Sequence, residues 1–288
     1  MALAARLWSG SGLDARFADA RLLRAGTRFC LYEAHEPQAN RSVVLKVPDD
    51  SAAHWVHDQL RYEAAILAAT GTHPNVVTMY QALTLHDGRP ALLLERCAYS
   101  AEDLLHRDNS FPLPDAIALG IKVAGAVEVV HQFGALHCDI RPANILLTEW
   151  GEPVIAGFDE AVTVGSGTGY APLHITTPHT APELLEGEAP SPASDVYGLA
   201  STLYELIAGR AAFRAYAGES AAAVIVRMLS NPVRPIVAPG VPLELSDLLT
   251  WAMSPEPSKR PPTPAWLAEE LGRIEAREGW RRTRMAGA

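Results

Sequence analysis

The stretch from His137 to Asp159, HCDIRPANILLTEWGEPVIAGFD, constrains this chain more than any other. Four polar side chains, His137, Asp139, Arg141 and Asn144, crowd together and are followed at once by the apolar run Ile145, Leu146, Leu147. That order reads as a loop entering a buried strand and presenting its side chains just before the strand begins. An aspartate so placed can accept a hydroxyl proton, a cation at Arg141 can neutralise a transferring phosphoryl group, and an asparagine amide oxygen can hold a metal ion. The stretch closes on Gly157, Phe158 and Asp159.

Length and charge bound what can surround that loop. A chain of 288 residues, 48% apolar and 20% charged, can bury a large core and fits one two-lobed domain of catalytic size or two small ones. With 24 basic and 33 acidic residues the formal charge is −9, which argues against a general binder of nucleic acid or anionic membrane. Cys30, Cys97 and Cys138 are odd in number and far apart, so neither a disulfide framework nor a structural zinc site is expected, and a reducing cytoplasm is the expected compartment. The opening MALAARLW is too short and interrupted for a signal peptide, and no run approaches the ~18 apolar residues of a membrane span.

In chain order, residues 1–20 read as an extension. From there the pattern turns to short apolar strands, ARLLRAG, RFCLYEA and SVVLKV, with the turn-rich EPQAN between the last two. HWVHDQLRYEAAILAAT is helical; His54 and His57 share one of its faces but have no third ligand in register, so they read as surface residues. VVTMYQALTL and ALLLERC form a hairpin about the turn HDGRP. Helical periodicity returns with AEDLLHR and PDAIALGIKVAGAVEVVHQFG, whose broad apolar face suits a core helix. DEAVTVGSGTGYAPLHITTP reads as a mobile loop, because Gly165, Gly167 and Gly169 lack the strand-to-helix junction that a phosphate cradle needs. SDVYGLASTLYELIAG is a further helix, and REGWRRTRMAGA reads as a solvated basic end, with a docking segment as the second reading.

The chain resembles the protein-kinase family. The family loop His-Arg-Asp-x-Lys-Pro-x-Asn is matched from His137 to Asn144, with Cys138 in place of Arg and Arg141 in place of Lys. Thirteen positions after Asn144 the family places the Asp of Asp-Phe-Gly, whose carboxylate grips the magnesium bridging the phosphates; here the triplet is Gly157, Phe158, Asp159. Lys46, seventeen residues before Glu63, resembles the strand lysine that pairs with a helix glutamate. His73-Pro74-Asn75-Val76-Val77 resembles the family's loop into its fourth strand, Leu94 falls at the back of the nucleotide pocket, and Glu95, Arg96 and Cys97 fall at the hinge whose backbone bonds adenine. Thr180-Ala181-Pro182-Glu183 resembles the end of the activation segment. Asp195, twelve residues on, resembles the aspartate bracing the catalytic loop, and Arg260 the arginine that pairs with Glu183 in a buried bridge. Small-molecule kinases lack the Ala-Pro-Glu and Arg-Pro features, and the likeness spans roughly Arg21 to Leu271.

The resemblance implies an α+β, two-lobed protein-kinase-like fold. Residues 21–97 would form a small antiparallel-sheet lobe plus one helix, 98–272 a larger, mainly helical lobe, and 273–288 a basic tail. It assigns Asp139 as base or orienter, Arg141 as phosphate clamp and Asn144 as metal ligand, with Asp159 the nearest further carboxylate for the metal. Gly26, Val44, Lys46, Glu63, Glu95, Cys97 and Leu146 would line the nucleotide, and Phe158, His137 and Leu67 fall where the family stacks side chains to tie its lobes.

The departures concentrate on nucleotide and metal. Arg24, Gly26 and Phe29 stand where three glycines are expected, and Arg24 and Phe29 would hinder backbone approach to phosphates, although a plain hairpin with one turn glycine accounts for them equally well. Val44 adds methyls where an alanine usually underlies adenine. Asp159 lies two residues past Gly157, about 6–7 Å along an extended chain. The expectation is a pseudokinase that binds a protein partner as scaffold or allosteric module, with weak or no ATP binding, a magnesium site short of a ligand, no nucleic acid and no membrane span. An active Ser/Thr protein kinase with an atypical metal arrangement is the alternative, and a small-molecule phosphotransferase a more distant one.

Overall fold

Side-chain alternation decides the first sheet. Cys30, Tyr32 and Ala34 of β2 (Phe29–Glu36) and Val43, Leu45 and Val47 of β3 (Arg41–Pro48) turn to one side, where they bury with Phe17, Leu85, Ala91 and Leu93. The computed structural model describes residues 16–85, 87–164 and 177–287. In it β1 (Ala18–Ala25), β2, β3, β4 (Met79–Thr84) and β5 (Pro90–Glu95) form an antiparallel sheet in the order β1-β2-β3-β5-β4. β1 takes in Ala18 to Ala20, expected to lie in an extension, because the buried Phe17 anchors its start in the apolar cluster. Gly88, at φ +84°, closes the β4–β5 turn; His86 of that turn lies outside the described residues.

Helix α1 (His54–Thr70) carries Val56, Leu60, Glu63, Leu67 and Thr70 on one buried stripe. It stops at Gly71, whose N–H bonds the Leu67 carbonyl at 2.8 Å and whose side, had it a Cβ, would meet that oxygen at 2.5 Å. This sheet and helix make one unit, residues up to Thr72 with Val77–Cys97. The second unit comprises His73–Val76 and everything from Ala98 onward.

The second unit is mainly helical. α2 (Ala101–Asp108) starts in a reciprocal Ser100–Asp103 capping box and ends at Asn109 in the left-handed region. α3 (Leu113–Gln132) packs against α5 (Pro192–Ala208), and Gly120 lets them approach: a Cβ there would sit 2.8 Å from the Leu203 methyls. α4 (Pro182–Leu185), α6 (Ala221–Ser230), α7 (Leu243–Ala252) and α8 (Pro264–Arg277) complete the helices among the described residues. Two small sheets carry the polar loops: β6 (Tyr99–Ser100), β8 (Ile145–Leu147) and β9 (Pro153–Ile155) in the order β6-β8-β9, and β7 (Ala135–Leu136) with β10 (Val162–Thr163). Gly165, Gly167 and Gly169 lie outside the described residues.

The C-terminal segment corrects an expectation. The basic tail placed at 273–288 begins inside α8, which continues to Arg277, and residues 279–287, expected to be solvated, fold back. The buried Glu275 carboxylate accepts from both the N–H and the hydroxyl of Thr283, and Met285 and Ala286 lie against α3 at Gly125. No helix among the described residues is long and apolar enough to cross a membrane.

Candidate functional site

In the sheet unit, alternation leaves Val44 and Lys46 on the face of β3 opposite the apolar cluster. Lys46 is nonetheless only 4% exposed, and its ammonium donates to Glu63 Oε2 at 2.6 Å from the buried stripe of α1. Leu31 stands directly opposite Lys46 across the β2–β3 ladder, so Phe29, two residues along, is its diagonal neighbour. The Phe29 ring lies 4.6 Å from Lys46 Nζ. Phe29 therefore flanks the cation of the Lys46–Glu63 pair. The turn before it is closed by the Gly26 N–H, which donates to the Phe29 carbonyl at 3.0 Å, so the only glycine retained of the expected three spends its amide inside the hairpin.

Glu95 closes β5 on its neighbour: its N–H donates to the Thr78 carbonyl, and its carboxylate accepts from the Thr78 N–H at 2.6 Å. Cys97 is buried, and burial pushes its thiol up to about 12, making it an apolar wall. Leu146, in the other unit, is half-buried on β8 between Ser100 and Val154.

In the helical unit one buried carboxylate builds the polar loop. Asp195 at the start of α5 accepts from the backbone N–H groups of His137 and Cys138, both at 2.8 Å, and from His131 Nε2 at 2.7 Å. Burial works against its charge, but these bonds prevail and hold the carboxyl below its ordinary range. Cys138 adopts φ +62°, a left-handed conformation uncommon for a non-glycine residue, under that double grip. Burial pushes its thiol well up and depresses the His137 imidazole, whose Nε2 faces the Ala156 carbonyl at 3.1 Å.

The loop's working side chains meet on one carboxylate. Asn144 Nδ2 donates to Asp139 Oδ2 at 2.7 Å and to the Asp139 carbonyl at 2.8 Å, while Arg141 Nε donates to Asp139 Oδ2 at 3.2 Å. Burial raises the Asp139 carboxyl, opposed by Arg141 and reinforced by the negative charge of Asp159. The His137 and Phe158 ring centroids lie 4.7 Å apart with their planes tilted by 50°; Leu67 is buried in the sheet unit.

Gly157 brings no side chain to this loop. Its φ of +76° and ψ of 54° are left-handed, and an added Cβ would lie 2.6 Å from Asn144 Oδ1 and 2.8 Å from Asn144 Cγ. The Asn144 amide fills the space a side chain at 157 would take. No cluster of three or more His, Cys, Asp or Glu suited to a metal ion occurs among the described residues. Position 157 itself offers no carboxylate, and the nearest one along the chain is that of Asp159.

The activation-segment bridge is complete. The Arg260 guanidinium donates to both Glu183 oxygens, at 2.8 and 2.7 Å, and to the carbonyls of Ser254, Ala193 and Pro255, while Ser194 Oγ donates to Glu183 Oε1. All five N–H donors of the arginine are used. Sequence reasoning paired Arg260 with Glu183 and missed Ser194, and it missed His131 on Asp195; both are ordinary helix residues with no motif to announce them.

A lysine-bearing antiparallel sheet beside one helix, and a helical unit holding a braced polar loop, define the protein-kinase fold. The chain belongs to that family: residues 17–271 match the protein kinase domain. It is 33% identical over 269 residues to the serine/threonine-protein kinase PknK of Mycobacterium bovis and to PknK of Mycobacterium tuberculosis, over 93% of this chain and 24% of those proteins. To the serine/threonine-protein kinase PknA of Mycobacterium tuberculosis it is 26% identical over 276 residues, 93% of this chain and 63% of that protein. The chain thus spans about a quarter of the length of PknK.

Proposed function

We propose that this protein-kinase domain acts as a pseudokinase: a cytoplasmic signalling module that binds a protein partner and has weak, magnesium-independent nucleotide binding or none. The observation that carries the reading is the Gly157–Asn144 contact. Residue 157 supplies no carboxylate, and its place is taken by an amide that donates to Asp139. Losing one ligand from a phosphoryl-transfer metal site removes several kcal/mol of transition-state stabilisation. Phe29 beside Lys46 and the committed Gly26 amide weaken the phosphate end in addition. In the sheet unit, any nucleotide that binds would be met by Gly26, Val44, Lys46, Glu63, Glu95 and Cys97.

An active Ser/Thr protein kinase is favoured by a different observation. Lys46 and Glu63 are paired, Asp139, Arg141 and Asn144 are hydrogen-bonded together, and the relatives carry the name kinase. Asp139 would then accept the substrate hydroxyl proton, Arg141 would clamp the phosphoryl group, and Asn144 with Asp159 would hold magnesium. A small-molecule phosphotransferase has no observation in its favour, since the Glu183–Arg260 bridge belongs to the protein-kinase branch.

Thermal shift with ATP and ADP, in magnesium and in EDTA, separates the first two readings, with radiolabelled phosphoryl transfer to the chain itself and to a generic Ser/Thr protein substrate. A nucleotide at ~100 times its dissociation constant stabilises by about 2.7 kcal/mol, well within reach of the method. No shift, or one indifferent to magnesium, together with no transfer, supports the pseudokinase. A strong magnesium-dependent shift with transfer that Asp139→Asn abolishes makes the chain an active kinase.

A further inference from the structure

We infer that the face of α3 around Gly125 is a docking site for residues 283–287 of this same chain, and that the docked strap positions the His73–Val76 segment and, through it, β9 and the Gly157 turn. The site is built on both sides. A Cβ on Gly125 would lie 2.6 Å from Met285 Cγ and 2.7 Å from the Ala286 carbonyl, so only glycine leaves room for the strap's backbone. Gly287 is equally close, its own Cβ position being 2.9 Å from Val129 Cγ2 and 3.2 Å from the His73 ring. A buried carboxylate, Glu275, gives both oxygens to Thr283 at 2.7 and 2.8 Å, and the Trp280 N–H bonds the Glu275 carbonyl at 2.9 Å.

A relay of hydrogen bonds leaves this anchor. Since a carbonyl only accepts, His73 Nε2 carries the proton that bonds Ala286 O at 3.0 Å, which leaves His73 Nδ1 to accept from the Asn75 N–H at 3.1 Å. The Asn75 carbonyl accepts from the Ile155 N–H at 2.8 Å, its side chain donates to the Pro153 carbonyl, and Val76 bridges Ile155. Two residues beyond Ile155 is Gly157, and the Ala156 N–H between them bonds the Asn144 carbonyl. The strap thereby ends a chain of directional contacts that begins at the polar loop carrying Asn144. The inference does not depend on whether that loop is active, because it concerns only what holds the loop's backbone.

Two variants of the 288-residue chain test it, Gly125→Val, which puts side-chain atoms where the Ala286 carbonyl lies, and Thr283→Val, which removes the hydroxyl donor to Glu275 and leaves α3 untouched. Trypsin release of the strap at Arg281, Arg282 and Arg284 is followed by mass spectrometry, and amide exchange is followed at Asn75 and Ile155, with β3–β5 amides as control. Each variant is expected to speed strap cleavage at least tenfold and exchange at Asn75 and Ile155 at least tenfold, leaving the control amides unchanged. Wild-type cleavage as fast as that of a free peptide of residues 279–288 overturns the docking. Fast cleavage in the variants with unchanged exchange at Asn75 and Ile155 overturns the positioning role. Should Gly125→Val fail to fold, Thr283→Val carries both readouts alone.

Discussion

Replacing Gly157 by alanine adds one carbon and incurs two separable costs. The first is conformational: at φ +76° and ψ 54° a residue with a Cβ is disfavoured by about 1–2 kcal/mol. The second is steric. To reach ordinary contact at 3.4 Å from its present 2.6 Å, Asn144 Oδ1 must retreat, and the amide it belongs to holds two hydrogen bonds to Asp139. At about 1 kcal/mol each, their loss adds about 2 kcal/mol. The sum, about 3–4 kcal/mol, should lower Tm by roughly 6–8 °C at about 2 °C per kcal/mol for a chain of this size. A double-mutant cycle divides the two costs. In an Asn144→Ala background the steric part vanishes, so Gly157→Ala should cost only about 1–2 kcal/mol, leaving a coupling of about 2 kcal/mol. Equal costs in both backgrounds would refute the claim that Asn144 occupies the place of a side chain at 157. Gly157→Asp carries the same burden, so the missing carboxylate cannot be restored without moving Asn144; a stable Gly157→Asp with a new magnesium-dependent nucleotide shift in the Asn144-containing chain would contradict that.

Other perturbations follow from the same geometry. Arg260→Met strands the buried Glu183 carboxylate and should cost about 3–5 kcal/mol in urea unfolding, whereas a cost under about 1 kcal/mol would mean that water reaches the bridge. Phe29→Ala clears the ring from Lys46 and should enlarge the thermal shift given by ADP in EDTA; an unchanged shift would show that the ring is no obstacle. Burial holds the folded His137 imidazole below its ordinary value of 6.5, so the unfolded chain protonates first as pH falls and stability is lost below that value. His137→Phe should lose less stability than the unaltered chain between pH 7.5 and 5.5 in calorimetry; identical profiles would put the proton elsewhere.

Much of this architecture was legible because local patterns were strong. The α1 stripe and the β3 alternation each placed a side chain on a definable face, whereas the pairing of Lys46 with Glu63 across seventeen residues came from the resemblance. The Arg260–Glu183 bridge was legible only through resemblance, since 77 residues separate its partners and no periodicity links them. Harder still were contacts whose cause is the absence of an atom. Gly125 reads as an ordinary helix residue, so nothing in REGWRRTRMAGA announces that Met285 and Ala286 will lie against it. Phe29 was read as an obstacle to phosphates, but its position over Lys46 required the diagonal register of β2 on β3.

The grip of Asp195 on the His137 and Cys138 amides means that the polar loop is cast in a mould lying outside it. The residue that dictates the backbone at Cys138 is 57 positions away, on a helix with its own reasons to persist in the core. Side chains within the loop can therefore drift, as Cys138 and Arg141 have drifted from the family pattern, while the cast keeps its form. Catalytic competence and loop shape are inherited through different residues, so a lineage can lose the first without any trace in the second.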